Sequence, residues 1–273
     1  MTADAERPAI LVFDSGLGGL TVFREVLAMR PDARYLYVAD DVAFPYGRFS
    51  ERDLTERVMT VMSGLVNAHR PDLAVIACNT ASTVVLPDLR RNFSISFIGT
   101  VPAIKPACSA SRSKLVSVLG TEGTVQREYT RALIRDFGQG CEVTLVGSRR
   151  LAVLAEAHLR GEAVDEEAIA AEIAPCFVEK PGARTDTVVL ACTHYPLLLE
   201  RLRRLSPWPV NFVDPAPAIA RRVTDLIGPA PEGAPRGEAF FHFTSGRRSS
   251  APLATALAAF GVSEGPRRAT ATV

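Results

Sequence analysis

One short pattern is written twice in this chain: Asp72-Leu-Ala-Val-Ile-Ala-Cys78-Asn-Thr80 and Asp186-Thr-Val-Val-Leu-Ala-Cys192-Thr-His194. In each copy an apolar run delivers a cysteine to its end. The residues after the cysteine are small and polar, the chemistry that opens a helix and binds an anion, so each copy reads as strand, thiol, helix start. Two copies imply one site with two facing thiols. That arrangement suits removal of a proton from one face of a carbon and delivery of a proton to the other.

The rest of the chain supports a sheet for each copy. Short apolar runs (Ile10–Phe13, Tyr35–Val38, Leu73–Ala77, Ile95–Ile98, Leu115–Leu119, Val143–Val146, Thr187–Ala191, Val210–Val213, Ala239–Phe243) alternate with stretches of helical period. The helical stretches include Leu20–Met29, Leu54–Val66, Val125–Phe137, Leu151–Leu159 and Ala218–Ile227. This alternation is the βαβα signature of parallel sheets covered by helices, so the expected class is α/β. The Pro- and Gly-rich stretch 228–237 reads as a loop and the last eight residues as a frayed tail. The repeat also reaches further back, because Ile10-Leu-Val-Phe-Asp14-Ser15-Gly-Leu-Gly18 has a counterpart in Val116-Ser-Val-Leu-Gly120-Thr121-Glu-Gly-Thr124. Asp14 precedes Cys78 by 64 residues and Gly120 precedes Cys192 by 72, a spacing that fits a duplication. A chain of 273 residues suits two domains, each of roughly 130 residues. Ligands of open parallel sheets bind at the carboxyl ends of the strands, where all four motifs fall, so two facing sheets predict one shared cleft.

Composition narrows the partners. The formal charge is +1, with no polybasic block or basic stretch interleaved with aromatics, which argues against nucleic acid and anionic membrane and for a small soluble substrate. No apolar run approaches the span of about 18 residues that crosses a bilayer, and Met1 to Pro8 lacks the apolar core of a signal peptide, so a cytoplasmic protein is expected. Five cysteines without a Cys-x-x-Cys pair predict a reducing compartment and free thiols.

Each candidate residue has a plainer reading. Cysteine is a small hydrophobe that fills cores, and for Cys108, Cys141 and Cys176 that reading stands. For Cys78 and Cys192 the duplication and the polar followers favour reactive thiols. Racemising an amino acid at its α carbon needs a base on one face and an acid on the other, and two thiols near the ordinary pKa of about 8.5 can exchange those roles. Asp14 and His194 are the neighbours expected to move protons at Cys78 and Cys192 respectively, although Asp14 followed by Ser15 also fits a helix cap. Asn79, Thr80, Thr121, Thr124 and Thr193 supply hydroxyl and amide groups beside helix N-termini, suited to a substrate carboxylate. The Asp14-Ser-Gly-Leu-Gly-Gly19 loop matches neither nucleotide fingerprint, so its glycines read as tight-turn geometry. Pyridoxal phosphate chemistry would need a Schiff-base lysine, and none of Lys105, Lys114 and Lys180 follows a strand in a polar turn. Cys78, Cys192 and His194 lack structural zinc spacing, so neither cofactor nor metal is expected.

Taken together, Phe13-Asp-Ser-Gly-Leu-Gly-Gly-Leu20, Phe44-Pro-Tyr-Gly47, Ala77-Cys-Asn-Thr-Ala-Ser82, Val101-Pro-Ala-Ile-Lys-Pro106, Gly120-Thr-Glu-Gly-Thr-Val125 and Cys192-Thr-His-Tyr-Pro-Leu197 closely resemble the cofactor-independent glutamate racemases of the aspartate/glutamate racemase superfamily. The resemblance implies interconversion of L- and D-glutamate, supplying D-glutamate for peptidoglycan. It implies Cys78 and Cys192 as the proton donor and acceptor pair, and Asp14, Ser15, Tyr46, Gly47, Asn79, Thr80, Thr193 and His194 around the substrate. Glu156, in Leu154-Ala-Glu-Ala157, is similar to the family's acidic residue near the substrate ammonium. His194 stands where aspartate racemases tend to carry an acid, which implies glutamate as substrate. One departure is Ala191, in place of the usual glycine before the second cysteine.

The family architecture implies a first domain of residues 1–98 plus 211–273 and a second of 99–210, with the active site between them. The segment Val101 to Arg127 is most similar to proteobacterial members. Some of those are activated by a peptidoglycan precursor and carry a longer N-terminal extension than the nine residues ahead of Ile10. Such an activator and a homodimer are therefore the further partners to test.

Overall fold

The structure, a computed structural model, describes residues 7–138 and 140–265. The tail expected over the last eight residues lies outside the described residues.

In chain order the first part comprises β1 (Ala9–Asp14), α1 (Leu20–Met29), β2 (Arg34–Ala39), α2 (Glu51–His69), β3 (Leu73–Ile76), α3 (Asn79–Asn92) and β4 (Ser96–Gly99). Then follow α4 (Ile104–Ala110), β5 (Leu115–Thr121), α5 (Glu122–Val125), α6 (Glu128–Phe137), β6 (Glu142–Ser148), α7 (Leu151–Leu159) and α8 (Glu166–Ile173). The chain continues through β7 (Glu179–Lys180), β8 (Ala183–Arg184), β9 (Thr187–Ala191), α9 (Leu199–Leu205) and β10 (Asn211–Val213). It closes with α10 (Ala216–Ile227), β11 (Ala239–Phe243), α11 (Ala251–Ala259) and β12 (Ser263–Glu264).

These elements make two larger sheets, ordered β12-β11-β2-β1-β3-β4 and β10-β9-β5-β6, with parallel pairing throughout. The second order, reversed, is β6-β5-β9-β10, which corresponds in chain order, strand for strand, to β2-β1-β3-β4. The duplication read from the motifs is therefore present in the topology. In both sheets the chain steps from a central strand to one side and then crosses to the other, so a switch point lies between β1 and β3 and another between β5 and β9. The carboxyl edges of those strands carry Asp14, Cys78, Thr121 and Cys192, and a switch point is where an open α/β sheet leaves a crevice.

The core explains why the runs are strands. All residues of β3 and β9 are buried, as continuous apolar strands covered on both faces must be. Helix α2 turns Leu54, Val58, Val61 and Met62 to the sheet, a stripe of helical period. Its start is capped by Ser50, whose Oγ accepts the Asp53 N–H at 3.2 Å. Apolar clusters cover both faces of each sheet.

Two local expectations change. The strand at Asn211–Val213 pairs with β9, so the chain stays with the second sheet to Val213 instead of leaving it at residue 210. The helical stretch Val125–Phe137 breaks at Gln126 and Arg127, where Arg127 is extended (φ −67°, ψ 140°) at the start of α6; its guanidinium pairs with Glu51 of α2 at 2.7 Å. Among the described residues no helix is long and apolar enough to cross a membrane.

Candidate active site

The loop after β1 turns back on the carboxylate that precedes it. Asp14 is fully buried; its Oδ2 accepts the N–H groups of Gly19 at 2.9 Å and Gly16 at 3.3 Å. Its Oδ1 lies 3.5 Å from Thr193 Oγ1, on the facing unit. Burial pushes the Asp14 carboxyl up, outweighing the positive charge of His194 and the two N–H groups. Asp14 thus closes the turn of the glycine loop and faces Thr193, while the cap position of α1 is Gly19, without a side-chain cap. Gly18 is required by close approach, because a Cβ there would sit 2.3 Å from His194 Nδ1.

Cys78 stands two residues past the end of β3 and is the N-cap residue of α3. The Ala77 N–H still donates to Phe13 O at 2.7 Å, which holds Cys78 level with Asp14. The Cys78 thiol donates to Ser15 Oγ at 3.8 Å. Burial pushes this thiol up, and charge on Asp14 or on Cys192 pushes it further against the Ala81 N–H and Ser15. The two cysteines are thus within electrostatic reach of each other.

Next along α3, Asn79 has its amide nitrogen and its amide oxygen both buried without a hydrogen-bond partner. A buried amide left empty costs about 1–3 kcal/mol per group. A fold retains that cost where a ligand supplies the missing partner. Thr80 Oγ1 then forms a triangle with Thr121 Oγ1 at 3.0 Å and Thr124 Oγ1 at 3.2 Å, closed by 3.0 Å between the last two. Thr80 belongs to the first unit and the other two to the second, so the triangle spans the cleft.

The second cysteine differs in its local structure. No α-helix starts after Cys192: the chain turns, with the Tyr195 N–H donating to Cys192 O at 3.1 Å, passes through a 3-10 turn at Tyr195–Leu198 and enters α9 only at Leu199. This corrects the reading of the second copy as strand, thiol, helix start. Pro196 lies in that turn, where it contributes no backbone donor.

What Cys192 has instead is His194, whose Nδ1 lies 3.8 Å from Sγ. His194 Nε2 is 3.1 Å from Glu156 Oε1 and 3.2 Å from the Gly18 N. The two contacts demand opposite things of Nε2, a donor for the carboxylate and an acceptor for the amide. We assign the proton to Nε2, since Glu156 is ionised. Burial would raise the Glu156 carboxyl, but the His194 hydrogen bond and charge, the Leu17 N–H (2.8 Å) and Arg160 together hold it below its ordinary value. Burial would likewise lower His194, yet its bonds to Cys192 and Glu156 raise it well above 6.5. Held through Nε2, the ring presents Nδ1 to the thiol as the atom that exchanges a proton.

The remaining predicted residues are placed as follows. Ser15 is against Cys78, as above. Gly47 closes on the second unit, where a Cβ would lie 3.3 Å from Thr121 Cβ. Tyr46 sits in the same loop, but its hydroxyl is committed to Asp40 Oδ2 at 2.6 Å, and Asp40 is also bound by Arg57 and Thr244. The Phe44–Pro45 peptide ahead of Tyr46 is cis.

Three residues at the site had no signal strong enough to single them out. Thr21 Oγ1 donates to Gly18 O and, across the cleft, to Thr193 O at 3.1 Å. The Phe44 ring packs 5.3 Å from the His194 ring. Arg160 donates to Glu156 Oε2 at 2.8 Å, and here the spacing of four on one helix face was a usable clue. Among the described residues no group of three or more His, Cys, Asp or Glu is arranged to hold a metal ion.

Residues 21–223 match the family described as Asp/Glu/Hydantoin racemase. Glutamate racemase of Brucella anthropi is 59% identical over 229 residues, 84% of this chain and 82% of that protein. The crystal structure of Escherichia coli glutamate racemase in complex with L-glutamate and activator UDP-MurNAc-Ala is similar with a TM-score of 0.85 and 40% identity, covering 94% of this chain and 97% of that one. A glutamate racemase isoform of Bacillus anthracis gives a TM-score of 0.76 at 26% identity, over 95% and 98% of the two chains. The chain belongs to the Asp/Glu/hydantoin racemase family and, within it, to the glutamate racemases.

Proposed function

We propose that the protein interconverts L- and D-glutamate by passing the Cα proton between two thiols, Cys78 and Cys192, without a cofactor. One observation carries the reading: the thiols occupy equivalent strand ends of two facing, duplicated sheets, and each has its own proton-handling neighbour. On one side His194 Nδ1 takes the proton that leaves Cys192 and returns it. On the other, Asp14, raised towards neutrality by burial, does the same near Cys78. Proton removal from one face and delivery on the other inverts the centre.

Asn79, with its unpaired amide, and the Thr80, Thr121, Thr124 and Thr193 hydroxyls receive the substrate carboxylates, with Ser15 and the Tyr46–Gly47 backbone completing the shell. Glu156 keeps His194 in the working tautomer, as a carboxylate does for a catalytic histidine elsewhere. The two sheet units act as domains that close over the substrate and exclude water from the carbanion-like intermediate.

D-glutamate made this way supplies peptidoglycan synthesis in the cytoplasm. The Escherichia coli relative was crystallised with UDP-MurNAc-Ala, and a peptidoglycan precursor of that kind is the activator to add here; sedimentation with and without it reports whether the chain dimerises.

The test is incubation of the pure protein with L-glutamate in heavy water, with chelator and no added cofactor. Loss of the Cα proton signal and decay of optical activity to zero are expected together. An unchanged Cα signal and unchanged rotation, with and without the activator, would overturn the reading.

A further inference from the structure

Arg160 caps the carboxyl end of α7 one turn beyond Glu156. Its guanidinium is divided between two carboxylates: it donates to Glu156 Oε2 at 2.8 Å and to Glu162 Oε1 at 2.7 Å. The side chain is only 24% exposed, far from the freely solvated condition in which such i,i+4 pairs contribute little. By occupying Oε2 it leaves Oε1 for the Leu17 N–H and for His194 Nε2. Gly18 N–H waits 3.2 Å from that same Nε2. If the Glu156 carboxylate swings away, the amide becomes the only partner there and selects the opposite tautomer, with the proton on Nδ1. A neutral ring protonated on Nδ1 has no lone pair facing Cys192.

We propose that Arg160 is a positioning residue for racemisation: it locks the Glu156 carboxylate in the orientation that keeps the His194 proton on Nε2, leaving Nδ1 to exchange with Cys192. The inference rests on the racemase reading above and assigns Arg160 a role in it. The groups that face Glu156 are few. Asp14 and His194 approach from the strand ends, Tyr37 feels its charge from beneath the glycine loop, and Arg160 is the cation on its far side. Removing Arg160 therefore leaves the Glu156–His194 pair without its outer anchor, while the Asp14 side of the site keeps every bond it had.

The experiment compares Arg160→Gln, Arg160→Lys and the unaltered enzyme. Because enantiomers have equal free energy, kcat/KM must fall equally in both directions, by about tenfold for Arg160→Gln, the scale of a modest misplacement of a reacting group. With glutamate deuterated at Cα, the isotope effect should grow only for the enantiomer whose proton Cys192 removes. In nitrogen-15 spectra of the histidine rings, taken at a pH high enough to make the ring neutral, His194 should move from protonated Nε2 towards protonated Nδ1. Arg160→Lys should restore most of the rate and the original spectrum. A spectrum and isotope effects unchanged in Arg160→Gln overturn the proposal, as does a loss of rate that Lys does not rescue and that follows unfolding alone. If the unaltered enzyme fails to exchange the Cα proton, the racemase reading falls instead, and the nitrogen spectrum still decides what Arg160 does.

Discussion

Cys78 and Cys192 stand at equivalent places in two copies of one topology, yet their surroundings are nearly opposite. Cys78 opens a helix, donates to a serine and has a buried carboxyl group near it. Cys192 opens only a turn and meets a histidine that a carboxylate holds through its other nitrogen. The sheets kept their symmetry because strand order and register are set by buried apolar runs, which tolerate little change. The loops at the strand ends carry no such constraint and diverged. A reaction that treats mirror-image substrates needs two faces with the same task, and on the proposed two-thiol mechanism that task falls to unlike neighbours.

The strongest way to break this comparison is to remove one thiol at a time. Cys78→Ala and Cys192→Ala should each lower racemisation by at least about a thousandfold, within the range of a lost acid or base, while Cys108→Ser should stay near the starting rate. Turnover surviving in either alanine variant, measured by polarimetry, would show that the two sides are not partners. Next in size are the neighbours. Asp14→Asn and His194→Asn should each cost about a hundredfold, and the Cα-deuterium isotope effect should increase for opposite enantiomers in the two variants. An increase for the same enantiomer in both would mean that Asp14 and His194 serve one side.

A smaller effect separates binding from structure on the Cys78 side. Asn79→Ala should raise KM by about tenfold, the value of a lost hydrogen bond or two, without lowering the unfolding temperature of the substrate-free protein, because the amide has no partner to lose. A clear fall in that temperature would make Asn79 structural.

The smallest effect tests the Cys192 side through pH. Glu156 is held below its ordinary 4.5, so its contribution is complete above that pH and lost as pH falls through the folded-state value. His194 is held above 6.5, so its contribution is complete below that pH and lost as pH rises through its raised value. Glu156→Gln should therefore destabilise most between those limits, by about 1–3 kcal/mol for a buried charged hydrogen bond, and least in strong acid. A difference from the parent that is constant from acid to alkaline pH would contradict the ionised pair.

Much of this was legible beforehand. The spans Leu20–Met29, Leu151–Leu159, Thr187–Ala191 and Ala239–Phe243 match their elements at both ends, because in each the buried pattern runs up to a residue that ends it. The site was legible where chemistry and spacing coincide, at both cysteines, at His194 and in the threonines after β5. It was not legible where a side chain is spent elsewhere. Nothing near Tyr46 in the sequence marks Asp40 as the partner that takes its hydroxyl, and nothing near Arg127 marks Glu51, far away on α2, as its ion-pair partner.

The sequence by itself determined the α/β class, the duplicated strands and the identity of the two thiols, since these follow from local apolar runs and from residue types at their ends. Only the tertiary structure decided that Glu156 and Arg160 stand behind His194, that three threonines from two units share one triangle, and that the Glu156 carboxylate competes with the Gly18 amide for one nitrogen of His194. Those are contacts between residues up to 176 apart in the chain. Local propensity carries no information about such pairs, because they exist only once both sheets have formed and their carboxyl edges meet.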